Sequence, residues 1–518
     1  MTTALAPERI LRAPIAGMLV TLAAILAIWG DNMRRLPFEG VWPTLAAGFG
    51  IAGVVVVALR LVLRSWAAAE VASVMIAIYC FYVPSFVELV ALPGWAMIVA
   101  HGVAIVLLYF LGKWIVGRQD RSAIAATNFR LVAVLLLLIT AVPIIRGQIS
   151  LEGDRAKRPQ ALAALHGTAT ASSPDVWHIL FDRYAGTDTL RSTYAFDNRP
   201  FVEALRARGF TVHDQAFANY QRTAHSVAST MNGSLLDPLG RGQAQRGDDW
   251  VPIYRAMRDS AAVRAFNRMG YHTVHAGSWW EPTRQSGFAS ESIEVRTMPQ
   301  LARLAIDSSA IGFWSRGFSL PYFDGRKDQC FRASEKFRRL SALTRSADPK
   351  HVFAHFLVPH PPFVLNSDGS CRSVVEAQAA SRRDNYLAQL RFANREALTL
   401  VDAILAGPRP AVIVVHSDEG PWPAPYVGNE HGLGTDPVTV PWASLPDDKL
   451  KEKMSILLAV RGPDGPPATM PTSPVQIYPA ILRDHFGSTQ ALPVSRHYVF
   501  ASDRELYRFE DVSAKLQP

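Results

Sequence analysis

Cysteine is nearly absent, with three residues in 518. That excludes a scaffold built on disulfides and leaves no Cys/His cluster with metal-ligand spacing. Charge is sparse too: 19% of residues are charged and 49% hydrophobic, which excludes a disordered, highly solvated chain. The net charge of +9 and pI of about 9.5 arise without any basic run interleaved with aromatics. Nucleic acid is therefore not an expected partner. Internal repeats are missing, and one Ala/Ser/Thr-rich stretch is the only biased segment, so solenoid architectures are excluded.

What the chain has is apolar length, all of it at one end. Five stretches, Leu11–Trp29, Trp42–Leu63, Val71–Leu92, Trp95–Val116 and Leu131–Ile145, approach the roughly 20 residues needed to cross a bilayer. The last is short and would have to borrow flanking residues or thin the bilayer. None has the polar face that a helix in water requires. Trp29, Trp42, Trp66, Trp95 and Trp114 sit at or beside segment ends, where indoles favour the interface. The expected organisation is a five-span anchor over 1–146, a linker over 147–173 and a catalytic domain over 174–518. The lipid bilayer is the first expected partner.

Orientation follows from basic residues. Arg9 and Arg12, Arg60 and Arg64, then Lys113, Arg118, Arg121 and Arg130 fall on one side of the five spans. The other side has Arg34, Arg35 and a turn at Leu92–Gly94. This predicts a multi-pass protein of a bacterial-type inner membrane, N-terminus cytoplasmic and C-terminal domain periplasmic. Cys80 lies in a span and reads as a packing residue. Cys330 and Cys371 are a candidate disulfide in an oxidising compartment. Glu88 and His101, near the outer ends of their spans, are candidates for facing a headgroup pocket.

Beyond Pro174 strands and helices alternate, which predicts a largely parallel sheet covered on both faces, with its site at the carboxyl ends of the strands. Expected strands are Val176–Phe181, His272–His275, Val352–Val358, Ala411–His416 and Ser455–Val460. Expected helices are Pro200–Arg208, Tyr254–Met269, Asn385–Leu405 and Val475–Phe486. Asp182, Asp418 and Glu419 follow apolar strands, and His355 and His360 surround another strand end. A single Asp in such a place is commonly a helix cap. Several together, where burial of a carboxylate is costly unless it is paired, point to a shared metal site. Thr223 opens a small-residue helix within Asn219-Tyr-Gln-Arg-Thr-Ala-His-Ser-Val-Ala-Ser-Thr-Met-Asn-Gly233, where a hydroxyl meets the positive end of the helix dipole. It reads either as an N-cap or as a nucleophile.

These motifs in this order resemble the sulfatase-like branch of the alkaline phosphatase superfamily. Asp182 looks like its first metal ligand and Thr223 stands at its nucleophile position. Gly270-Tyr-His-Thr-Val274, Pro359-His-Pro-Pro-Phe363, Ser417-Asp-Glu-Gly420 and Val475-Gln-Ile-Tyr-Pro-Ala-Ile-Leu482 are similar to its later motifs. Five spans before such a domain also resemble lipoteichoic acid synthases and lipid A phosphoethanolamine transferases. The resemblance implies a five-helix transmembrane bundle followed by an α/β, alkaline phosphatase-like domain with a mostly parallel central sheet.

It further implies one divalent metal held by Asp182, Thr223, Asp418 and Glu419, with Thr223, His360 and His431 catalytic. Glu419 replaces the family's usual His. That makes the set all-oxygen and favours Mn, Mg or Ca over Zn. His416, two residues before Asp418, is an alternative donor. Arg183, His225, His355 and His416 are candidates for substrate or outer-shell contacts. Threonine at 223 rules out conversion to formylglycine and hence formylglycine-type sulfatase chemistry. The expected activity is transfer of a phospho-substituted group to an envelope lipid or glycan through a threonine intermediate. The alternatives are a phosphoric or sulfuric ester hydrolase, and a catalytically inactive membrane binding protein.

Overall fold

The structure, a computed structural model, describes residues 13–90, 92–156, 162, 164–240, 247–315, 320–427 and 439–516. The chain divides into two compact units. One comprises Met1–Arg155 and Met298–Phe323, the other Ala156–Thr297 and Asp324–Pro518.

Among the described residues of the first unit four helices are long and apolar enough to cross a membrane: Phe38–Leu63, Trp66–Leu89, Gly94–Val116 and Gln119–Ala156. Another, Ala16–Asn32, is shorter, at 17 residues, and the start of the expected first span lies outside the described residues. The helix of the expected third span begins at Trp66, earlier than expected, because the Ser65 hydroxyl caps its first turn. It is interrupted at Tyr82, just before Pro84, and continues as Val83–Leu89. The expected short span Leu131–Ile145 lies inside a helix of 38 residues, so no thinning of the bilayer is required. Hydropathy marks the apolar part of a helix but not its charged ends. For the same reason the expected linker starts late: Gly147–Ala156 is helical, Leu165 is buried in the core of the second unit, and the Thr168 N–H bonds to the Phe486 carbonyl at 2.8 Å.

One buried carboxylate ties three of these helices together. Glu70 is fully buried and bonds to Arg130 Nε and Nη2 at 2.7–2.9 Å. The same carboxylate accepts the Ala16 N–H at 3.1 Å, capping Ala16–Asn32. Neutralising only one member of a buried pair strands the other charge, at a cost of about 3–5 kcal/mol. Glu70→Gln is therefore expected to lower the unfolding temperature in detergent, and adding Arg130→Met to recover most of the loss. Equal stability of Glu70→Gln and the parent protein would refute this role.

The second unit is built on a seven-stranded sheet. Its strands, in chain order, are β1 (Asp175–Asp182), β2 (Thr211–Val212), β3 (His272–Ala276), β4 (Glu291–Ser292), β5 (Lys350–Pro359), β6 (Ala411–Ser417) and β7 (Leu458–Arg461). Their spatial order is β2-β7-β6-β1-β5-β3-β4. β1 pairs in parallel with β5 and β6, as β3 does with β5 and β4, while β7 is antiparallel to β6 and β2. Every residue of β1 is buried, as a central strand covered on both faces requires. Alternation divides the core in two. Val176 and Leu180 join Phe353, Val412 and Val414 on one face, and Trp177, Ile179 and Phe181 join Val352, Phe356 and Ile413 on the other.

Two expected elements are broken. Tyr254–Met269 is two helices, Val251–Arg258 and Ala261–Arg268, because Asn232 Oδ1 accepts the Ala261 N–H at 2.9 Å and starts a new helix there. Ser455–Val460 is two strands: Ser455–Ile456 pairs with Ala216–Phe217, while β7 joins the main sheet. Cys330 and Cys371 are joined in a disulfide with a Cα–Cα distance of 5.6 Å.

The first face carries buried histidines. His351 Nε2 and His178 Nδ1 each lie 2.9 Å from the Tyr478 hydroxyl, and His178 Nε2 lies 2.5 Å from His416 Nε2. His225 is enclosed by Trp250, Phe500 and Phe509, with Nε2 on the Leu506 carbonyl at 2.9 Å. Burial pushes the His225 and His351 imidazoles down to about 3. Free histidine titrates near 6.5. Between these values the unfolded chain takes up protons that the folded chain refuses, so stability falls as pH drops through this window. Each group contributes about 1.4 kcal/mol per pH unit. The urea midpoint of the second unit should fall from pH 7 to pH 5, and His351→Gln should make that slope shallower. A variant slope identical to the parent's would sink the assignment.

Candidate active site

Three adjacent central strands bring the site together. Asp182 closes β1, His355 lies within β5, and Asp418 follows β6. Leu180 is in register with both His355 and His416, so the period of two places Asp182 and Asp418 on the face that carries His355. The β1–β5 register shifts between Phe181 and Asp182, a local irregularity that re-aims the aspartate. Donor atoms of Asp182, His355 and Asp418 lie within 4.8 Å of one another, all buried. His355 Nε2 stands 3.5 Å from Asp182 Oδ2, while its Nδ1 is held by Thr283 Oγ1 at 3.0 Å.

The backbone around these groups is specialised. Arg183 adopts a left-handed conformation with φ of 62°, uncommon for a residue with a side chain. In this conformation its N–H donates to Asp418 Oδ1 at 3.2 Å and its carbonyl accepts the Tyr386 hydroxyl at 2.8 Å. Gly420 has to be glycine, because a Cβ there would lie 2.3 Å from the Glu452 carbonyl oxygen. Its N–H bonds to the Lys453 carbonyl at 2.8 Å.

Thr223 is the first residue of the helix Thr223–Asn232, closed by Gly233 in the left-handed conformation. Its side chain is near enough to the Asp418 carboxyl to pull that group's pKa down. Burial, then repulsion from Asp182 and Glu419, drives Asp418 well above the usual carboxylate range, against the pull of His355 and Thr223. Asp418 Oδ2 and His355 Nε2 are buried with no hydrogen-bond partner among the described residues. Two carboxylates and an imidazole with such atoms converging form a donor set that fits a divalent cation. A bound cation would also relieve the repulsion among the acids.

Glu419 keeps one oxygen, Oε2, buried with no hydrogen-bond partner among the described residues. It is buried beside this group, but its Oε1 bonds to Lys453 Nζ at 2.8 Å and Arg183 Nε at 3.1 Å. Lys453 Nζ and the guanidinium of Arg222 each lie 4.7 Å from the centre of the Trp422 ring. Arg222 also pairs with Asp503 at 2.7 Å. Lys453, Arg222 and Trp422 escaped the sequence reading. Lys453 sits in the charged helix Asp447–Met454, whose composition suggests a solvated face, and nothing local signals its burial.

The remaining expected residues distribute as follows. His416 shares the site's face, but Nε2 is engaged by His178 and Nδ1 lies 2.8 Å from the Ser417 carbonyl, so both ring nitrogens are occupied away from the group. His225 is a core residue under the aromatic cluster. His360 is partly buried, with Nδ1 on the Pro361 carbonyl and its own carbonyl held by Gln389. His431 lies outside the described residues. Metal binding separates the two ligand sets. For Mn or Zn binding to the full-length protein measured by calorimetry, His355→Ala should weaken affinity by at least about 100-fold, beyond the 10–100-fold typical of outer-shell changes. Glu419→Gln should cost less. The reverse order would return Glu419 to the first position.

No family model and no curated protein sequence matches the chain. By structure it is similar to members of the alkaline phosphatase superfamily, among them a superfamily protein from Vibrio parahaemolyticus (13% identity, TM-score 0.37, covering 65% of this chain and 74% of that one). More particularly, it is similar to the C-terminal periplasmic domain of EcEptC from Escherichia coli, at 10% identity and TM-score 0.43, covering 68% of this chain and 96% of that one. The soluble domain of lipooligosaccharide phosphoethanolamine transferase A from Neisseria meningitidis is also similar, at 12% identity and TM-score 0.34, covering 58% of this chain and 81% of that one.

Proposed function

We propose that the chain is a membrane-anchored, metal-dependent transferase that moves a phospho-substituted group through a covalent intermediate on Thr223. The observation that carries this reading is the buried group of Asp182, His355 and Asp418, with Thr223 at the head of its helix and near enough to act on the Asp418 carboxyl. A hydroxyl opening a helix beside a carboxylate is poised as a nucleophile.

Asp182, His355 and Asp418, with the Thr223 oxygen, would hold the cation. When bound, it lowers the hydroxyl pKa and stabilises charge on the phosphoryl oxygens. The preference for Mn, Mg or Ca over Zn depended on all-oxygen ligation. With His355 in the set an imidazole joins the oxygens, and Zn becomes as suitable as Mn. In the first step the Thr223 oxygen forms a bond to phosphorus while the bond from phosphorus to the donor's oxygen breaks. The hydroxyl proton passes to Asp418, and His360 or His431 supplies a proton to the departing oxygen. In the second step an acceptor hydroxyl gives its proton to the same histidine and forms the new bond to phosphorus, the bond to Thr223 breaks, and the threonine takes back the proton held at Asp418. Arg183 and Lys453 are fixed by Glu419 beside this path and add positive field where negative charge gathers.

The acceptor is an envelope lipid or glycan, because the apolar helices keep the enzyme at a bilayer. The N-terminus faces the cytoplasm and the α/β unit the periplasm. The distribution of basic residues and the disulfide, a bond of oxidising compartments, both support this orientation.

The test is intact mass spectrometry of the full-length protein given Mn or Zn and phospholipid without acceptor. A mass increase is expected, absent from Thr223→Ala, whose turnover should fall on the order of 10³-fold or more. An unchanged mass together with release of product from a soluble ester would make the protein a hydrolase. Full activity of Thr223→Ala would remove the covalent mechanism.

A further inference from the structure

Between β4 and β5 the chain contributes Met298–Phe323 to the compact unit of the apolar helices. This segment forms two short helices, Gln300–Asp307 and Ala310–Ser315. Leu301 and Ala305 of the first are buried with Ile25, Trp29 and Ile144 of the apolar helices. The second packs against Trp66–Phe81 and Val83–Leu89. Its Phe313 ring stacks on His101 at 4.0 Å and 20°, and Trp314 Nε1 donates to the Tyr79 hydroxyl at 2.6 Å. His101 is thereby sealed, 1% exposed, instead of facing an open headgroup pocket.

Depth gives this contact its meaning. The Gly94–Val116 helix has 23 residues, hence a length of about 35 Å. A hydrocarbon core is about 30 Å thick. His101 lies about two turns, roughly 10 Å, inside the Gly94 end. Even for a centred helix, the Phe313–His101 stack is well inside the hydrocarbon boundary. The outward side of the same short helix is apolar: Ile311 is 52% exposed and Trp314 41%. The helix Val83–Leu89 beside it exposes Phe86 and Leu89. The face of Ala310–Ser315 is therefore continuous with the surface that the apolar helices offer to lipid.

We propose that Gln300–Ser315 is a membrane-embedded hairpin. It is drawn from the middle of the α/β sequence and sunk into the leaflet on that side, with Ile311 and Trp314 against the upper acyl chains. An indole placed there has its ring in an apolar layer and its N–H satisfied by Tyr79. This rests on the membrane-spanning reading of the apolar helices.

The test uses single-cysteine variants of the full chain in a Cys80→Ser background with the Cys330–Cys371 bond kept. Ile311→Cys and Val106→Cys, the latter within Gly94–Val116, are labelled with nitrobenzoxadiazole in nanodiscs of phosphatidylethanolamine and phosphatidylglycerol. The label at Ile311→Cys is expected to emit to the blue of the same label on glutathione in buffer. Lipids brominated near the headgroup should quench it more than lipids brominated near the chain end. Water-like emission and iodide quenching at Ile311→Cys, with a lipid-like signal at Val106→Cys, overturn the hairpin alone. Water-like signals at both positions overturn the spanning reading itself. A diazirine phospholipid cross-linked to the unmutated protein gives a check free of substitutions. An adduct on the Ala310–Ser315 peptide is expected, and labelling of Gly94–Val116 without it overturns the proposal.

Discussion

Confinement of several carboxylates at the ends of buried central strands is the constraint on which the rest of the α/β unit depends. Asp182, Asp418 and Glu419 are buried together, and that burial, then repulsion from the other two acids, pushes the Asp418 carboxyl well above the usual range. Such a group is intolerable without compensation. The chain supplies it in two ways. Glu419 is neutralised by Lys453 and Arg183, both nearly inaccessible to solvent. Asp418 takes the Arg183 N–H, and His355 stands 3.5 Å from Asp182. A cation among Asp182, His355 and Asp418 would offset the repulsion between the acids.

Much of the surrounding architecture serves this arrangement. The register shift at Phe181/Asp182, the left-handed Arg183 and the side-chain-free Gly420 all fall at the strand ends that carry the acids. Below the acids, on the same face, His178 and His351 meet at the Tyr478 hydroxyl, and His416 meets His178. Burial keeps these imidazoles neutral, so they add no charge to an already loaded interior. The opposite face is plainly hydrophobic, and alternation along β1 separates the two.

The unit of apolar helices solves a similar problem with a similar device. Glu70 is buried among hydrophobic helices and is tolerated because Arg130 and the Ala16 N–H converge on it. The polar atoms of Tyr79, His101 and Trp314 are likewise satisfied among themselves. In both units meetings of buried polar groups help fix which elements pack together.

The sequence alone determined the apolar segments, the alternation of strands and helices, and the candidacy of Asp182, Asp418 and Thr223. These are written in local composition and period: an apolar run long enough for a bilayer, an apolar strand ending in an acid, a hydroxyl before a run of small residues. Tertiary structure alone brought His355 to Asp182 and Asp418 and set Glu419 against Lys453. His355 and Glu419 lie 64 positions apart in the chain, and no neighbouring residue announces the burial of Lys453. It also decided that His416, on the right face, is occupied by His178, that Tyr254–Met269 breaks where Asn232 caps a new helix, and that Gln300–Ser315 leaves the α/β unit to cover His101. In each case the deciding partner is distant in sequence. Pairing of buried polar groups depends on which atoms meet in space, and local pattern carries no record of that.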